Sequence, residues 1–375
     1  NLITLYHLIF IVKIKNNMRV CILGHGLSSL TLAKALVNQN IYVDIITYKK
    51  NQKISLSRTL GISKSNINFF NKNIININKL LWKLKKIEIY SDNLKNEKLL
   101  NFEKNNDQIF SIIKNHELNL IIEKDLLKSK YFKKRYFKNV NSSILKDYNI
   151  IINCNYFNNF TNKYFGKKII KEYDSTAYTT IISHEKILNN TAIQIFTKRG
   201  PLAFLPISNK ETSIVYSVHN SVKKVNDINE LIKQYNFKYK INKIDKIENF
   251  ELKSLNLRSY YYKNILAFGD LIHKIHPLAG QGFNMTMRDI KMLLNIIKNK
   301  LDLGLELDSS VNKEFEKKVK YKNFIFSNGV DLIHEFFNYE RKTKNSVLSK
   351  SIQILGKNFS VNKAFIKIAD EGIFF

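Results

Sequence analysis

The stretch GDLIHKIHPLAGQGFNMTMRD, residues 269–289, contains three of the chain's 12 glycines and one of its three prolines. The apolar segment NILAFGD (264–270) predicts a buried strand that ends at an acid. The segment NMTMRDIKMLLNIIKNK (284–300) predicts a helix whose apolar face carries Met287, Ile290, Leu293 and Leu294. Glycine and proline are favoured where the backbone needs a special φ or where a ligand approaches closely. The stretch therefore predicts a ligand cradle, with Asp270 as a hydrogen-bond acceptor.

A metal site is the competing interpretation of the same stretch. Asp270, His273 and His276 follow the spacing D-x-x-H-x-x-H, and residues three apart share one face of a helix. Pro277 would follow such a helix directly, and no fourth ligand is evident in the neighbouring sequence. We therefore predict no metal, and we favour a packed core position for His273.

A second unit of this kind lies near the N-terminus. RVCILG (19–24) predicts a buried parallel strand, SSLTLAKALVNQN (28–40) a helix, and IYVDIIT (41–47) another strand. The loop GHGLSS follows the dinucleotide-binding pattern G-x-G-x-x-G, with a tight turn at Gly24, a close backbone approach at Gly26 and Ser29 in third position. The helix start would face a pyrophosphate. An ordinary strand-turn-helix is the alternative. Thr47 stands where the pattern expects an acid for a ribose, which leaves cofactor choice open.

The composition narrows the class of protein. The chain has 375 residues, enough for two domains, and a formal net charge of +30 that would suit nucleic acid or an anionic membrane. Only seven basic residues are Arg, however, and the enrichment in Lys, Asn and Ile is typical of AT-rich coding. The sequence shows no ribonucleoprotein motif, zinc-finger spacing or basic heptad region. We predict solvated lysine faces, with a membrane surface as the second interpretation, and no nucleic-acid partner.

Two features bear on the location of the protein. Cys21 and Cys154 form neither a disulfide framework nor a CxxC site, which is typical of a reducing compartment. The apolar LITLYHLIFIV (2–12) is shorter than the roughly 20 residues that a membrane-spanning helix needs. Because Met18 follows shortly, we interpret residues 1–17 as a non-native extension, with a small membrane anchor as the alternative.

These motifs together resemble those of a known family. Residues 269–289 resemble the second flavin-contacting motif of the class A flavoprotein aromatic hydroxylases, G-D-A-A-H-x-x-x-P-x-x-G-Q-G-x-N-x-x-x-x-D. Within that class the chain is most similar to the ubiquinone-biosynthesis hydroxylases. Their mid-chain block is matched by EYDSTAYTTIISHEKILNNTAIQIFTKRGPLAFLP (172–206), and their Arg near the second strand by Arg58 in SRTLGIS. One departure concerns the A-D-G motif, which YNIIINCNYFNNFTN (148–162) replaces, with Asn155 in place of the Asp.

The resemblance implies an α/β fold like that of p-hydroxybenzoate hydroxylase. Residues 18–160 and 262–330 would form a Rossmann-like FAD-binding domain, 165–260 a mixed β-sheet substrate domain, and 331–375 C-terminal helices. The implied activity is that of an FAD-dependent monooxygenase. It would use NAD(P)H and O2, through a flavin C4a-hydroperoxide, to hydroxylate the ring of a polyprenylated phenol or quinol in ubiquinone biosynthesis. Such a substrate implies quinone-biosynthesis partner proteins and a cytoplasmic location with peripheral attachment to the inner membrane.

The resemblance also implies roles for individual residues. The resemblance implies four residues at the reacting ring: Pro277, Gly280, Gln281 and Gly282. Backbone N–H groups there would stabilise negative charge on the flavin. Further cofactor contacts are implied for Gly24, Gly26, Ser29, Thr47, Arg58, Asn155, Gly269, Asp270, Phe283 and Asn284. The implied substrate residues lie in GPLAFLP, the segment that contains the other two prolines. They are Pro201, Leu202, Phe204 and Pro206.

Three points stay open in the sequence. The altered segment at Asn155 also suits a non-catalytic flavin- or lipid-binding subunit of a quinone-synthesis complex, which would not oxidise NAD(P)H. An FAD-dependent reductase of isoprenoid lipids would remove double bonds without incorporating oxygen. The amphipathic C-terminal segment (345–375) suits either a membrane surface or packing against the FAD domain.

Overall fold

The structure is a computed structural model that describes residues 18–48, 54–94, 97–103, 108–137, 140, 143–220, 225–277, 280–343, 347–357 and 359–372. The predicted extension at 1–17 lies outside these residues. The strands are β1 Arg19–Leu23, β2 Tyr42–Thr47, β3 Thr59–Ser63, β4 Trp82–Leu84, β5 Lys86–Ser91, β6 Lys98–Glu103, β7 Phe110–Lys114, β8 Phe132–Tyr136, β9 Ile150–Asn153, β10 Lys168–His184, β11 Thr191–Thr197, β12 Gly200–Pro206, β13 Glu211–His219, β14 Ile241–Ile244, β15 Glu248–Leu257, β16 Tyr261–Tyr262, β17 Ile265–Ala267 and β18 His273–Lys274. The helices are α1 Leu27–Val37, α2 Lys64–Asn73, α3 Asn115–Leu126, α4 Asn159–Tyr164, α5 Val225–Tyr235, α6 Gln281–Asp302, α7 Ser309–Thr343, α8 Val347–Lys357 and α9 Phe359–Glu371.

The N-terminal unit forms the centre of a six-stranded sheet with the order β16-β17-β9-β1-β2-β8. Every neighbouring pair is parallel except β16 and β17. The inner strands β1, β9 and β17 are short apolar runs that are almost entirely buried, as the centre of a parallel sheet requires. The predicted strands in 19–24, 41–47 and 264–270 and the helices after the two glycine loops are confirmed, and the predicted apolar face of α6 is buried.

A nine-stranded mixed sheet forms the second layer, with the order β18-β15-β10-β13-β12-β11-β5-β6 and β14 added beside β10. The long strand β10 pairs with both β13 and β15. One face of this sheet packs against α5 through a core that includes Ile228 and Ile232. This sheet extends beyond the predicted range 165–260, because β5 and β6 come from the predicted FAD domain: β5 pairs with β11, and β6 pairs with β5.

The remaining elements connect the two large sheets. Strands β3, β7 and β4 form a small antiparallel sheet, and Thr59 Oγ1 in β3 donates to Ser213 Oγ in β13 at 2.9 Å. Helix α7 runs without a break through the boundary predicted at residues 330 and 331. Helix α8 packs on β6 and α9 on α2 and β3, where Asp370 Oδ1 accepts from Ser65 N at 2.8 Å. The described part of the C-terminal segment thus packs on the protein. No helix in the described ranges is long and apolar enough to cross a membrane.

Candidate functional site

The carboxyl ends of the parallel strands meet beside the N-terminus of α1. Gly24 N donates to Ile46 O at 2.9 Å, Cys154 N to Leu23 O at 2.9 Å, and Phe268 N to Asn153 O at 2.9 Å. These bonds bring the ends of β1, β2, β9 and β17 to one edge of the sheet. Helix α1 packs against α6, so both glycine loops border the same edge. We call this edge the cradle, formed by Gly24–Ser29, Thr47, Asn155, Gly269–Asp270 and the start of α6 at Gly280–Asn284.

The first loop contains two glycines with different physical requirements. Gly24 has φ +115°, and a Cβ there would lie 3.4 Å from Asn155 N and from the Cys154 carbonyl carbon. Gly26 has φ −87° at the start of α1, and no protein atom lies within 4 Å of the place that its Cβ would occupy. The turn therefore needs Gly24. The open space at Gly26 lies directly before the free N–H groups of α1, which is the arrangement that a phosphate group needs. Ser29 is buried in the first turn of that helix.

Thr47 and Asn155, two positions where the sequence departs from the expected motifs, lie at the carboxyl ends of β2 and β9, the strands on either side of β1. Thr47 is buried at the end of β2, and its carbonyl accepts from Phe137 N at 3.2 Å. Asn155 closes a turn after β9: its Oδ1 accepts from Phe157 N at 2.8 Å, and its own N–H donates to Asn153 Oδ1 at 3.1 Å. The Asn155 side chain therefore shapes this loop by bonding to the backbone.

The second loop is bounded by glycines in the left-handed region. Gly269 has φ +65°, and a Cβ there would lie 2.9 Å from Ser28 Cβ in α1. Asp270 follows in a 3-10 turn (Gly269–Leu271) with its side chain exposed. Gly280 has φ +61° and donates its N–H to Pro277 O at 3.2 Å, directly before α6. Pro277 is half-buried, and residues 278–279 lie outside the described residues. The loop thus presents an exposed carboxylate and a helix start to the cradle.

The start of α6 is held by one buried amide. Asn284 is fully buried, and its Nδ2 donates to Gly61 O at 3.0 Å and to Gly280 O at 3.2 Å. Its Oδ1 accepts from Ser63 N at 3.0 Å and from Asn66 Nδ2 at 2.9 Å. The resemblance implied a cofactor contact for Asn284, but its side chain is fully occupied by protein groups. Asn284 is therefore a positioning residue that fixes α6 against β3 and α2.

The neighbours of Asn284 are more open to a ligand. Gln281 is 4% exposed, and within the described ranges its Oε1 has no hydrogen-bond partner. Gly282 is half-buried and Phe283 is buried. A buried polar atom without a partner at a helix start is a group that a bound molecule could satisfy.

The two histidines of the second loop do not form the helical metal pattern. Asp270 lies in the 3-10 turn and His273 in β18, so the spacing does not place them on one helix face. His273 is buried, and its Nε2 lies 2.5 Å from Asp289 Oδ2 in α6. Among the described side chains, no group of three or more His, Cys, Asp and Glu could hold a metal ion. His273 therefore ties the loop to α6.

His276 belongs to a buried cluster that the sequence did not reveal. Its ring centroid lies 4.9 Å from that of Tyr173 and 4.5 Å from that of His334, and the Tyr173 hydroxyl donates to Asp331. Burial, with a smaller electrostatic contribution from the neighbouring His334, lowers the pKa of His276 to about 3. The His276 side chain is therefore neutral, and it supports the loop directly before Pro277. Tyr173 lies in the mid-chain block of the resemblance, but nothing in that block indicated a contact with α7.

The predicted substrate residues fall on both faces of β12. Leu202 and Phe204 are buried in the core with α5, on the face opposite to the one that contacts β3. Their side chains therefore face α5 and not β3, because successive strand residues point to opposite faces. Their role at the substrate site stays a prediction. Pro201 is on the face toward β3 and is half-buried, and Pro206 is buried at the strand's end. The face toward β3 instead carries small side chains, Ala177, Ala203, Ser213 and Ser217.

Arg58 lies at the junction of this face and the cradle. Its side chain is exposed, and its neighbours bind the sheet: Ser57 Oγ lies 3.0 Å from Thr179 Oγ1, and Thr59 binds Ser213. In the same strand, Gly61 N lies 3.4 Å from the Cβ position of Gly280. Arg58 therefore lies within the segment 57–61, which connects the large sheet to the start of α6.

Comparison with known proteins finds relatives of this chain both in sequence and in structure. No family model matches the chain. It is 27% identical over 176 residues to the 3-demethoxyubiquinol 3-hydroxylase of Escherichia coli, a match that covers 44% of each protein. It is 28% identical over 125 residues to a mitochondrial ubiquinone biosynthesis monooxygenase of Dictyostelium discoideum, covering 33% of this chain and 24% of that protein. The matched stretches span less than half the length of these curated relatives.

The fold is shared over nearly the whole chain. The crystal structure of p-nitrophenol 4-monooxygenase from Pseudomonas putida matches with a TM-score of 0.75 and 11% identity, covering 94% of this chain and 99% of that one. The Klebsiella pneumoniae HpxO structure complexed with FAD and uric acid matches with a TM-score of 0.72 and 10% identity, covering 96% and 97%. The predicted α/β fold and the resemblance to the ubiquinone-biosynthesis hydroxylases of class A are confirmed.

Proposed function

We propose that the protein is an FAD-dependent monooxygenase of ubiquinone biosynthesis. It hydroxylates the aromatic ring of a polyprenylated phenol or quinol and uses NAD(P)H and O2 as co-substrates. The observation that carries this proposal is the convergence of two glycine loops, at Gly24–Gly26 and at Gly280, on one edge of a parallel sheet. The names of the curated relatives support the substrate class, and the FAD-bound structural relative supports the cofactor.

The residues of the cradle fit FAD. The open space at Gly26 lets a pyrophosphate approach the N–H groups of α1, and Asp270, exposed beside it, can accept hydrogen bonds from a polyol chain. Gln281 brings an unpartnered polar atom to the start of α6, and Arg58 brings a cation to the edge of the large sheet. Thr47 can offer only a neutral hydrogen bond to a ribose, so we expect weaker FAD binding than an acid there would give.

When bound, FAD supplies the electron transfer and oxygen activation that no side chain provides. The protein's residues provide position and electrostatics. The free N–H groups at the start of α6, held in place by Asn284, face the site and stabilise negative charge there. The face of the large sheet that turns toward β3 forms one wall of the proposed site and excludes water from it.

The substrate class determines where the protein works. A polyprenylated phenol resides in a bilayer, so the enzyme must reach it from the surface, and we propose peripheral attachment to the inner membrane beside other quinone-biosynthesis proteins.

The visible absorption spectrum of the purified protein tests the proposal. We expect oxidised-flavin bands after FAD is added, bleaching with NADH or NADPH under anaerobic conditions, and label from 18O2 in a hydroxylated prenylphenol. Flavin that binds but is not reduced would favour the non-catalytic subunit, for which the Asn155 turn is the structural reason. Reduced double bonds without oxygen label would indicate the isoprenoid-lipid reductase. If excess FAD produced no flavin bands at all, the proposal would be wrong.

A further inference from the structure

Two chain segments, 156–170 and 258–264, form one continuous surface along the edge of the six-stranded sheet. Arg258 N donates to Lys167 O at 3.0 Å, which joins them through the backbone. The rings of Tyr164 and Tyr262 stack at 4.1 Å between centroids with an interplanar angle of 10°. We call this surface the α4 face, because α4 lies at its centre.

The α4 face exposes an unusual amount of apolar surface. Phe157 is 87% exposed, and its ring contacts that of Tyr156. Ile169 and Ile170, near the start of β10, are 43% and 47% exposed, and because successive strand residues point to opposite faces, only Ile170 shares the face of Lys168. Tyr156 and Tyr262 are also exposed, and each carries a hydroxyl at the end of an apolar ring. Apolar side chains grouped in this way mark an interaction surface more often than scattered ones do.

The charge on this face has one sign. Lys163, Lys167, Arg258 and Lys263 are exposed, and neither segment contains an Asp or a Glu. Lysines lie over the aromatic rings: Lys168 Nζ is 4.3 Å from the centroid of Tyr156, and Lys263 Nζ is 5.7 Å from that of Tyr262. Glu316 of α7 accepts from Tyr260 N and from the exposed Ser259 Oγ, so one acid lies at the margin of the face. The face therefore attracts an anionic partner that also accepts apolar side chains.

We propose that the α4 face docks the protein peripherally on a bilayer that contains anionic lipid. Phe157 enters the boundary between headgroups and acyl chains, the tyrosines lie at headgroup depth, and the lysines bind lipid phosphates. A nucleic acid fits less well, because exposed isoleucines gain nothing from a phosphate backbone and only one of the basic residues is Arg. The C-terminal helices, considered for this role from their sequence, are instead packed against the protein.

Cosedimentation of the full chain with vesicles tests the proposal. We expect binding to an equal mixture of phosphatidylcholine and phosphatidylglycerol, little binding to phosphatidylcholine alone, and binding that weakens as salt increases. The variant Phe157→Ala should weaken binding by about tenfold or more. The double variant Lys163→Glu with Lys167→Glu should also weaken binding by about tenfold or more, since each basic residue near a surface contributes about fivefold.

Matched variants separate a docking face from general positive charge. The pair Lys240→Glu with Lys243→Glu makes the same charge change at exposed sites elsewhere, and Leu188→Ala removes an equally exposed apolar side chain. We expect these controls to bind within about twofold of the parent protein. Equal losses in the test and control pairs, or no binding to the mixed vesicles, would overturn the proposal. So would tighter binding to a mixed-sequence oligonucleotide that the α4-face variants abolish.

A fluorescence measurement tests the depth of insertion. Phe157→Trp should show a blue shift and quenching by brominated lipid only in the anionic vesicles, whereas Leu188→Trp should show neither. An unchanged spectrum at position 157 in bound protein would contradict insertion. These experiments need neither flavin nor turnover. A failure here leaves the proposed chemistry untouched, and a failure of flavin binding leaves the docking face untouched.

Discussion

The two glycine loops of the cradle are built by different means. The first, Gly24 to Ser29, is held by backbone hydrogen bonds between strand ends, such as that from Gly24 N to Ile46 O. The second, from Gly269 to Gly280, is held by side chains from distant elements: Asn284 binds β3 and α2, and His273 binds Asp289. A local sequence motif predicts the turn of the first loop, although His25 Nε2 also lies 2.9 Å from Glu123 Oε1 of α3. The second loop depends more on distant side chains, since Asn284 binds Ser63, 221 residues away.

This difference has a consequence for what each residue does. The two glycines of the first loop have different roles: Gly24 allows the turn, and Gly26 leaves space for a ligand. In the second loop the motif residues Asn284, His273 and His276 serve the protein, and the exposed Asp270 and the helix start serve the ligand. Substitutions of Asn284, His273 or His276 should therefore act mainly on stability.

Loss of the Asn284 side chain should have the largest effect on stability. Asn284→Ala removes four hydrogen bonds and leaves Gly61 O and Ser63 N buried without a partner. Each unsatisfied buried group costs about 1–3 kcal/mol, so we expect a loss of about 3 kcal/mol or more in the free energy of unfolding. Chemical denaturation measures it. Asn295→Ala, at an exposed site on the same helix, should change stability by less than about 0.5 kcal/mol. Equal effects at the two positions would contradict the role assigned to Asn284.

Gly24→Ala should have the next largest effect. The new Cβ would be forced into φ +115° and would press on the backbone of Cys154 and Asn155 at 3.4 Å. Strain of this kind costs about 1–3 kcal/mol, and we expect the melting temperature and the FAD affinity to fall together. Gly329→Ala, in a helix where no atom lies within 4 Å of the Cβ position, should not lower stability. A stable Gly24→Ala protein would show that the turn does not depend on glycine.

His276, like His25 in the first loop, has a pKa that burial lowers, and it therefore makes stability depend on pH. Its pKa is lowered from 6.5 to about 3, so below pH 6.5 the unfolded chain takes up a proton that the folded chain does not. Its contribution is therefore complete above pH 6.5 and is lost as pH falls toward 3, at up to about 1.4 kcal/mol for each pH unit. His276→Phe keeps a ring beside Tyr173 but removes this slope.

Unfolding free energies of His276→Phe and the parent protein between pH 7 and 4 test this point, and the difference between the two curves isolates the histidine from the carboxylates. His219→Gln, at a partly exposed site on β13, is the control. Parallel curves for His276→Phe and the parent would mean that His276 accepts a proton in the folded state.

The sequence predicted the parts of the molecule that local patterns encode. Runs of Val and Ile located β1, β2 and β17, and glycine spacing located both loops, because strand burial and turn geometry are short-range properties. The part that β5 and β6 play in the large sheet could not be read from the sequence, because the pairing of β5 with β11 and of β6 with β5 leaves no mark on their own residues. The orientation of Leu202 and Phe204 was not predicted, since alternation shows that two faces exist but not which one meets the ligand. The Tyr173 cluster was missed because Tyr173 and His334 meet from elements far apart in the chain.

Gly26→Ala should have the smallest effect on stability and thereby separates the ligand from the fold. Its φ of −87° suits alanine, and its Cβ would meet no protein atom within 4 Å, so we expect the free energy of unfolding to change by less than about 0.5 kcal/mol. If a pyrophosphate occupies that space, the methyl group should weaken FAD binding by more than about tenfold in a fluorescence titration, because small-to-large changes in a packed site cost about 1–3 kcal/mol. Gly24→Ala lowers both quantities, whereas Gly26→Ala should lower only the affinity. Unchanged FAD affinity in a stable Gly26→Ala protein would place the phosphates elsewhere and leave the second loop as the sole anchor of the cofactor.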